Sequence, residues 1–180
     1  MSKKILAYGA SNSRKSINKK FANYAAHQVP DTEVKLLDLN DFEMPLYSID
    51  REEADGMNPL AIQFRQEMAD CDGIVISFAE HNGAYTAAFK NIFEWISRAG
   101  KNIWSNKPML LLATAPGEMG GRFVPEIASN KLRRMNTNTI VDFSLPSFGE
   151  NFDENSGITN PELKAKFDQV LNEFIESIEA

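Results

Sequence analysis

The sequence predicts an α/β fold in which a parallel five-stranded sheet is covered by helices on both faces. Short apolar segments alternate five times with longer segments of helical periodicity. The apolar runs at residues 73–78 and 108–114 are largely uninterrupted, as in strands that are buried on both faces. Such alternation produces parallel strands joined by right-handed crossovers. A length of 180 residues fits one domain, so we assign residues 1–180 to a single unit.

Local signals place the individual elements. Pro59 is favoured in the first turn of a helix, and Gly100 is suited to follow the end of one. Residues 40–58 and 145–159 are predicted to be irregular. The predicted strands are residues 5–8, 32–38, 73–78, 108–114 and 138–143. The predicted helices are residues 17–26, 59–70, 86–98, a segment from the end of the loop at 121 to about 135, and residues 160–178.

The segment between the first strand and the first helix has the composition of a phosphate-binding loop. The first N–H groups of a helix lack internal partners, and the helix dipole is positive at that end. Small polar side chains there can add neutral donors, and Arg14 and Lys15 can add positive charge. The alternative is simple helix capping, which needs only one such residue. Four lie within eight positions: Ser11, Ser13, Ser16 and Asn18.

A phosphate loop after the first of five strands suits the strand order 2-1-3-4-5, which is the flavodoxin-like three-layer sandwich. In such sheets ligands bind beyond the carboxyl ends of the strands, where the strand order reverses. The loops after strands one, three and four all emerge at that edge. The loops after strands three and four, residues 79–85 and 115–121, are polar and glycine-rich respectively. We therefore expect one site formed by these three loops.

The phosphate ligand predicted for this site is FMN. The GxGxxG dinucleotide pattern is absent, since the next glycine after Gly9 is Gly56, and the lysine-bearing P-loop is absent too. The flavin ring would lie between the loops 79–85 and 115–121. Glycine there lets backbone N–H groups approach the ring, where they stabilise the anion that forms on hydride uptake. No catalytic side chain is expected, because FMN carries the chemistry.

Three segments resemble those of the NAD(P)H-dependent FMN reductases, a family that includes quinone, azo-dye and chromate reductases. Residues 9–18, GASNSRKSIN, are similar to the family's GSxRxxSxN phosphate loop. Residues 80–98 contain EHNG, FKN and EWISR, where the family has PEYNG followed by LKNxxDWxSR. Residues 115–122, APGEMGGR, are similar to its glycine-rich third loop. The likeness extends over residues 4–135 and includes a Pro-Leu-Tyr sequence at 45–47.

The resemblance implies a set of cofactor-binding residues. Those implied at the FMN phosphate are Ser11, Ser13, Arg14, Ser16 and Asn18. Those implied around the ring are Glu80, His81, Asn82, Gly83, Ala115, Pro116 and Gly117. The chain departs from the family pattern at Ala79, where proline is usual, and at His81, where tyrosine is usual. A histidine at this position can change its charge near neutral pH.

The resemblance also implies an enzyme that works in two steps. NADPH or NADH reduces FMN and leaves, and a small acceptor such as a quinone, a flavin or an azo compound then takes the electrons. Family members are usually homodimers or homotetramers, with the helix at residues 90–98 near the partner subunit.

Composition excludes several other classes of function. The net charge of −6 disfavours nucleic acid and anionic membranes as partners. No apolar run is long enough to cross a bilayer, and no apolar leader is visible, so a cytoplasmic location is expected. Cys71 is the single cysteine, so no internal disulfide is possible. Glu80 and His81 are adjacent in the sequence, and two adjacent side chains rarely point at the same metal ion, so no metal site is expected.

Two other functions stay open. A flavodoxin-like electron carrier would bind FMN without its own NAD(P)H activity, although the TxTGxT type of loop found in flavodoxins is absent here. A non-redox domain that binds another phosphate ligand would take up no FMN.

Overall fold

The central sheet has five parallel strands in the order β2-β1-β3-β6-β7, which confirms the predicted fold class and strand order. The computed structural model describes residues 2–179. Each strand of the sheet lies within two residues of its predicted start or end. The strands are β1 Lys3–Ala10, β2 Thr32–Leu37, β3 Gly73–Phe78, β6 Met109–Thr114 and β7 Ile140–Leu145.

Helices cover both faces of the sheet because successive strand residues point to opposite sides. Leu6 and Tyr8 face a core shared with α3, α4 and α5, whereas Ile5 and Ala7 face a core shared with α1 and α7. In the described part of the chain, no helix is both long enough and apolar enough to cross a membrane. The helices are α1 Ile17–His27, α2 Ile49–Asp55, α3 Pro59–Ala69, α4 Ala87–Arg98, α5 Phe123–Leu132, α6 Phe148–Asn151 and α7 Pro161–Glu179.

The two segments predicted to be irregular contain regular structure. A 3₁₀ turn, Leu39–Phe42, and helix α2 lie in the first segment, where the Ser48 side chain caps α2 and Gly56 ends it at a φ of 77°. The second segment contains α6 and a short hairpin of β8, Phe152–Asp153, and β9, Gly157–Ile158. Helix α5 also ends earlier than the predicted residue 135.

Gly9, at the end of β1, sets how closely helix α1 packs on the sheet. A Cβ atom at this position would lie 2.5 Å from the backbone nitrogen of Lys19 and 2.9 Å from the carbonyl carbon of Asn18. Backbone atoms cannot rotate away as a side chain can. The first turn of α1 therefore keeps its position only because residue 9 has no side chain.

We expect Gly9→Ala to lower the free energy of unfolding by about 2 kcal/mol, the usual cost of overpacking, because helix α1 must move away from β1. Gly149→Ala is the matched control, since a Cβ at Gly149 meets no atom within 4 Å. The control should change stability by less than about 0.5 kcal/mol. Urea unfolding followed by circular dichroism measures both. Equal stability of the two variants would contradict the close approach described for Gly9.

Candidate functional site

Three loops meet at the carboxyl edge of the sheet and enclose a cleft of about 300 Å³. The first loop, residues 11–16, follows β1, the second loop, residues 79–85, follows β3, and the third loop, residues 115–121, follows β6. The cleft is lined by Ser11, Ser13, Lys15, Ser16, Ile17, Asn18, Ala79, Glu80, His81, Thr114, Ala115 and Pro116.

The cleft brings together most of the residues predicted for the FMN site, although the role of each of them stays a prediction. Arg14 is exposed and does not line it, whereas the adjacent Lys15 does. The sequence analysis named both Arg14 and Lys15 as sources of positive charge, and the family resemblance implied only Arg14, which stands one place later than the arginine of the family pattern. The other predicted residues that lie outside the lining are Asn82, Gly83 and Gly117.

The first loop combines helix capping with free hydrogen-bond donors. The Ser16 Oγ atom accepts a hydrogen bond from the Lys19 N–H at 3.2 Å, so Ser16 is the N-cap of α1. Ser11 Oγ accepts from the Ser13 N–H at 3.1 Å. Each hydroxyl uses only its oxygen in these bonds and keeps its proton for a ligand. The N–H groups of Ile17 and Asn18 have no partner within residues 2–179.

The Asn18 side chain has a structural role that the sequence did not indicate. It is 3% exposed. Its Oδ1 accepts from Ser77 Oγ at 2.7 Å and from the Thr114 N–H at 3.0 Å, and its Nδ2 donates to the Thr114 carbonyl at 3.0 Å. These bonds tie the start of α1 to the ends of β3 and β6. The contact of Asn18 with phosphate stays a prediction, and the Asn18 backbone N–H has no partner among the described residues.

The second loop is a β-hairpin rather than an irregular loop. Its strands are β4, Glu80–His81, and β5, Ala84–Tyr85. The two turn residues have positive φ, 53° at Asn82 and 73° at Gly83, which is typical of a type I′ turn. Asn-Gly is the strongest sequence signal for this turn, so the hairpin was predictable. Because Asn82 and Gly83 form the turn, they lie at its tip and do not line the cleft.

The Glu80 carboxylate is used within the protein, and its predicted contact with the ring stays a prediction. Its Oε2 accepts from the N–H of Phe123 at 3.0 Å and from the N–H of Val124 at 3.2 Å. These are the first residues of α5, so Glu80 caps the helix that follows the third loop. His81, the next residue, is exposed and lines the cleft.

The third loop is held from the opposite side by the segment that follows β7. The Ala115 carbonyl accepts from the Phe148 N–H at 3.0 Å, and the Gly117 carbonyl accepts from the Ser147 N–H at 3.0 Å. Gly120, at a φ of 60°, passes so close to Pro146 that a Cβ would lie 2.9 Å from its nitrogen. These contacts occupy the carbonyl groups of the loop and leave the Gly117 N–H without a partner in the described chain.

The positive charge at the cleft comes from a small number of groups. Lys19 is committed to Asp38 at 2.5 Å. Its hydrogen bond lowers the pKa of the Asp38 carboxyl group to about 2. Lys15 lines the cleft without forming an ion pair in the part of the chain that the structure describes. Residues 2–179 contain no cluster of three or more His, Cys, Asp or Glu side chains that could hold a metal ion.

The family-like segment in α4 fixes the Pro-Leu-Tyr sequence at residues 45–47. Asn91 Oδ1 accepts from the Tyr47 N–H at 2.8 Å, and Trp95 Nε1 donates to the Pro45 carbonyl at 2.8 Å. Arg98 pairs with Glu52, whose carboxylate also accepts from the Tyr47 hydroxyl. The segment thus makes intrachain contacts that explain several of its residue types.

We expect Asn18→Ala to lower the free energy of unfolding by about 3 kcal/mol, because Ser77 Oγ and both backbone groups of Thr114 lose a buried partner. Asn12→Ala is the control, since Asn12 is exposed in the same loop and forms no hydrogen bond with the described residues. The control should change stability by less than about 0.5 kcal/mol. Urea unfolding without added ligand measures both, and a small effect at position 18 would show that the amide is not a structural tie.

Comparison with known proteins agrees with this geometry. The family model described as NADPH-dependent FMN reductase matches residues 3–150. A 2-hydroxy-1,4-benzoquinone reductase of Burkholderia sp is 33% identical over 122 residues, which cover 67% of this chain and 64% of the relative. An NADPH:quinone oxidoreductase of Arabidopsis thaliana is 32% identical over 94 residues, which cover 52% of this chain and 46% of the relative. The matched regions thus span about half to two thirds of these relatives.

Solved structures show the same fold. FerB, a flavoenzyme NAD(P)H:(acceptor) oxidoreductase from Paracoccus denitrificans, superposes with a TM-score of 0.77 at 22% identity, over 98% of this chain and 97% of that one. The apo form of an NADH:FMN oxidoreductase, EMOB, gives a TM-score of 0.74 at 18% identity, over 98% and 90% of the two chains. Together with the family match over residues 3–150, the three loops and their cleft lead to one conclusion: the chain belongs to the NADPH-dependent FMN reductase family.

Proposed function

We propose that this protein is an NAD(P)H-dependent oxidoreductase that uses bound FMN to reduce quinones or similar small molecules. The observation that carries the proposal is the cleft at the sheet edge, where unpaired N–H groups and serine hydroxyls of the first loop face the second and third loops. Family membership implies FMN as the cofactor and NAD(P)H as the electron donor.

The donors at the first loop fit the phosphate group of FMN. The N–H groups of Ile17 and Asn18 lie at the positive end of α1 and lack protein partners in residues 2–179. The Ser11 and Ser16 hydroxyls retain protons to donate, and Lys15 adds one positive charge at the cleft. A largely neutral donor set of this kind suits a monophosphate bound with its charge shared among many hydrogen bonds.

The second and third loops would hold the flavin ring. His81 lines the cleft on one side and Ala115 and Pro116 line it on the other. Bound FMN would supply hydride acceptance and electron transfer to the acceptor. The chain's own contribution would be to orient the ring and to place the unpaired Gly117 N–H near it, where an N–H stabilises developing negative charge.

Quinones are the acceptor class that the relatives favour. Both curated relatives described above are named for quinone reduction. The cytoplasmic location expected from the sequence stays a prediction.

A single FMN-binding domain over residues 1–180 is part of the proposal. Helix α7 lies beyond the region matched by the family model. It nevertheless packs through Phe167 and Phe174 on the same face of the sheet as α1. This packing supports a domain that includes the C-terminal helix.

A homodimer formed through α4 and α5 also belongs to the proposal. Three apolar side chains are exposed near the start of α5: Met119 in the third loop, and Phe123 and Ile127 in the helix itself. A groove of about 350 Å³ lies between α4 and α5. It is lined by the apolar or aromatic Tyr85, Phe93, Ile127 and Met135 and by the polar or charged Lys90, Glu94, Ser97 and Lys131. Exposed apolar side chains beside a groove with an apolar floor and a polar rim are typical of a subunit interface.

Anaerobic titration of the FMN-loaded protein with NADPH, and separately with NADH, tests the activity. We expect rapid bleaching of the oxidised-flavin absorbance band by at least one donor, and its return when a quinone is added. Tight FMN binding without bleaching would support the electron carrier instead. Failure to take up FMN would support a domain for a different phosphate ligand.

We expect Ile127→Glu to weaken the dimer by about 2 kcal/mol or more, because it places a charge in an apolar contact. Ile62→Glu is the control, since Ile62 is an exposed isoleucine on α3 that does not line the groove. Light scattering across a dilution series measures the change in dimer affinity. The proposed interface is wrong if the two variants associate as the unmodified protein does.

A further inference from the structure

Helix α5 begins without a capping residue of its own. Arg122 occupies the N-cap position and makes no side-chain capping bond. Residues 115–122 contain no serine, threonine, aspartate or asparagine, the residue types that cap helices best. The first turn of α5 therefore needs an acceptor from elsewhere in the fold.

Glu80 provides that acceptor from the second loop, 43 positions earlier in the chain. Its Oε2 atom accepts from the N–H groups of both Phe123 and Val124. The carboxylate also lies at the positive end of the helix dipole, where a negative charge is stabilised. Gly121, in the third loop, runs close to Glu80, since a Cβ added at Gly121 would come within 3.5 Å of the Glu80 Cβ.

The hydrogen bonds from Glu80 to α5 matter because the third loop, which ends at this helix, contains several glycines. Gly120 and Gly121 have positive φ, 60° and 69°, and directly precede the capped helix. Glycine has the largest conformational freedom to lose on folding. A fixed acceptor at the far end of such a loop sets where its backbone lies, as the contacts to Ser147 and Phe148 do from the other side.

We infer that Glu80 is a positioning residue whose carboxylate joins the second loop to the first turn of α5, fixes the end of the third loop, and so sets the separation of the two sides of the flavin cleft. The inference rests on the proposed function, because the two loops are those that would hold the flavin ring. Ala79 and His81, the neighbours of Glu80, line one side of the cleft, and Ala115 and Pro116 line the other. Binding of FMN between the loops and order in the first turn of α5 are consequently linked.

Three variants test the inference. Glu80→Ala removes both hydrogen bonds, and Glu80→Gln removes the charge but keeps a carbonyl acceptor. Glu126→Ala is the matched control, because Glu126 is an exposed acidic residue in the first turn of α5 that forms no bond to the second loop. The readouts are the FMN dissociation constant, the visible circular dichroism of bound FMN, and amide hydrogen exchange at Phe123 and Val124.

We expect Glu80→Ala to weaken FMN binding roughly tenfold, a typical size for coupled sites, and to change the circular dichroism of the bound flavin. Exchange at Phe123 and Val124 should become faster in the free protein, and bound FMN should slow it again. Glu80→Gln should restore most of the affinity, and Glu126→Ala should match the unmodified protein in all three readouts.

The outcomes separate this inference from the proposed function. If Glu80→Ala accelerates exchange but binds FMN with unchanged affinity and circular dichroism, Glu80 is only a helix cap and the positioning role is wrong. If Glu126→Ala weakens FMN binding as much as Glu80→Ala does, the loss of a negative charge explains the weaker binding and the positioning role of Glu80 is wrong. If the unmodified protein binds no FMN, the proposed function itself fails and the positioning role fails with it.

Discussion

The buried side-chain amide of Asn18 joins the structural elements from which the site is formed. It connects the first turn of α1 with Ser77 at the end of β3 and with Thr114 at the end of β6. A neutral amide suits this place, because it both donates and accepts without burying a charge. Thr86 extends the connection, since its hydroxyl donates to the Ala10 carbonyl while it caps α4. The loops after β1, β3 and β6 therefore start from fixed points relative to one another.

The polar groups of these loops fall into two sets: those that are hydrogen-bonded within the protein and those that are available to a ligand. Carbonyl and carboxylate oxygens are mostly used within the protein, as at Ala115, Gly117 and Glu80. N–H groups at Ile17 and Gly117 have no partner in the described residues. A site whose acceptors are already hydrogen-bonded within the protein, and whose N–H donors are not, is selective for a ligand rich in acceptor atoms. This imbalance favours phosphate and the rim of a flavin over a cationic ligand.

The fold was predictable from the sequence because its signals are local. Continuous apolar runs identified the buried strands, and alternation with helices gave their parallel arrangement and order. The type I′ turn at Asn82 and Gly83 was also encoded locally, yet its short strands were overlooked because only two residues pair on each side. Helix α2 was missed for a similar reason, since it contains few apolar residues and none of them is buried.

The division of roles within the site was not predictable in the same way. Asn18 has partners 59 and 96 positions away, and Glu80 has partners more than 40 positions away. One sequence shows which side chains can donate or accept, but not which of them the fold has already paired. Arg14 and Lys15 are adjacent and both exposed, and only Lys15 lines the cleft, a difference that composition does not encode.

The number of residues between β3 and the hairpin decides which way the side chains of Glu80 and His81 point. Both residues line the cleft, but neighbouring side chains on a strand point to opposite sides, and it is the Glu80 carboxylate that reaches the first turn of α5. One inserted or deleted residue between β3 and β4 would exchange these directions and take the Glu80 carboxylate away from the N–H groups of Phe123 and Val124. Evolution can therefore replace the side chain at position 81 far more easily than it can alter the spacing before it. We expect natural variation in this loop to consist of substitutions and to avoid insertions.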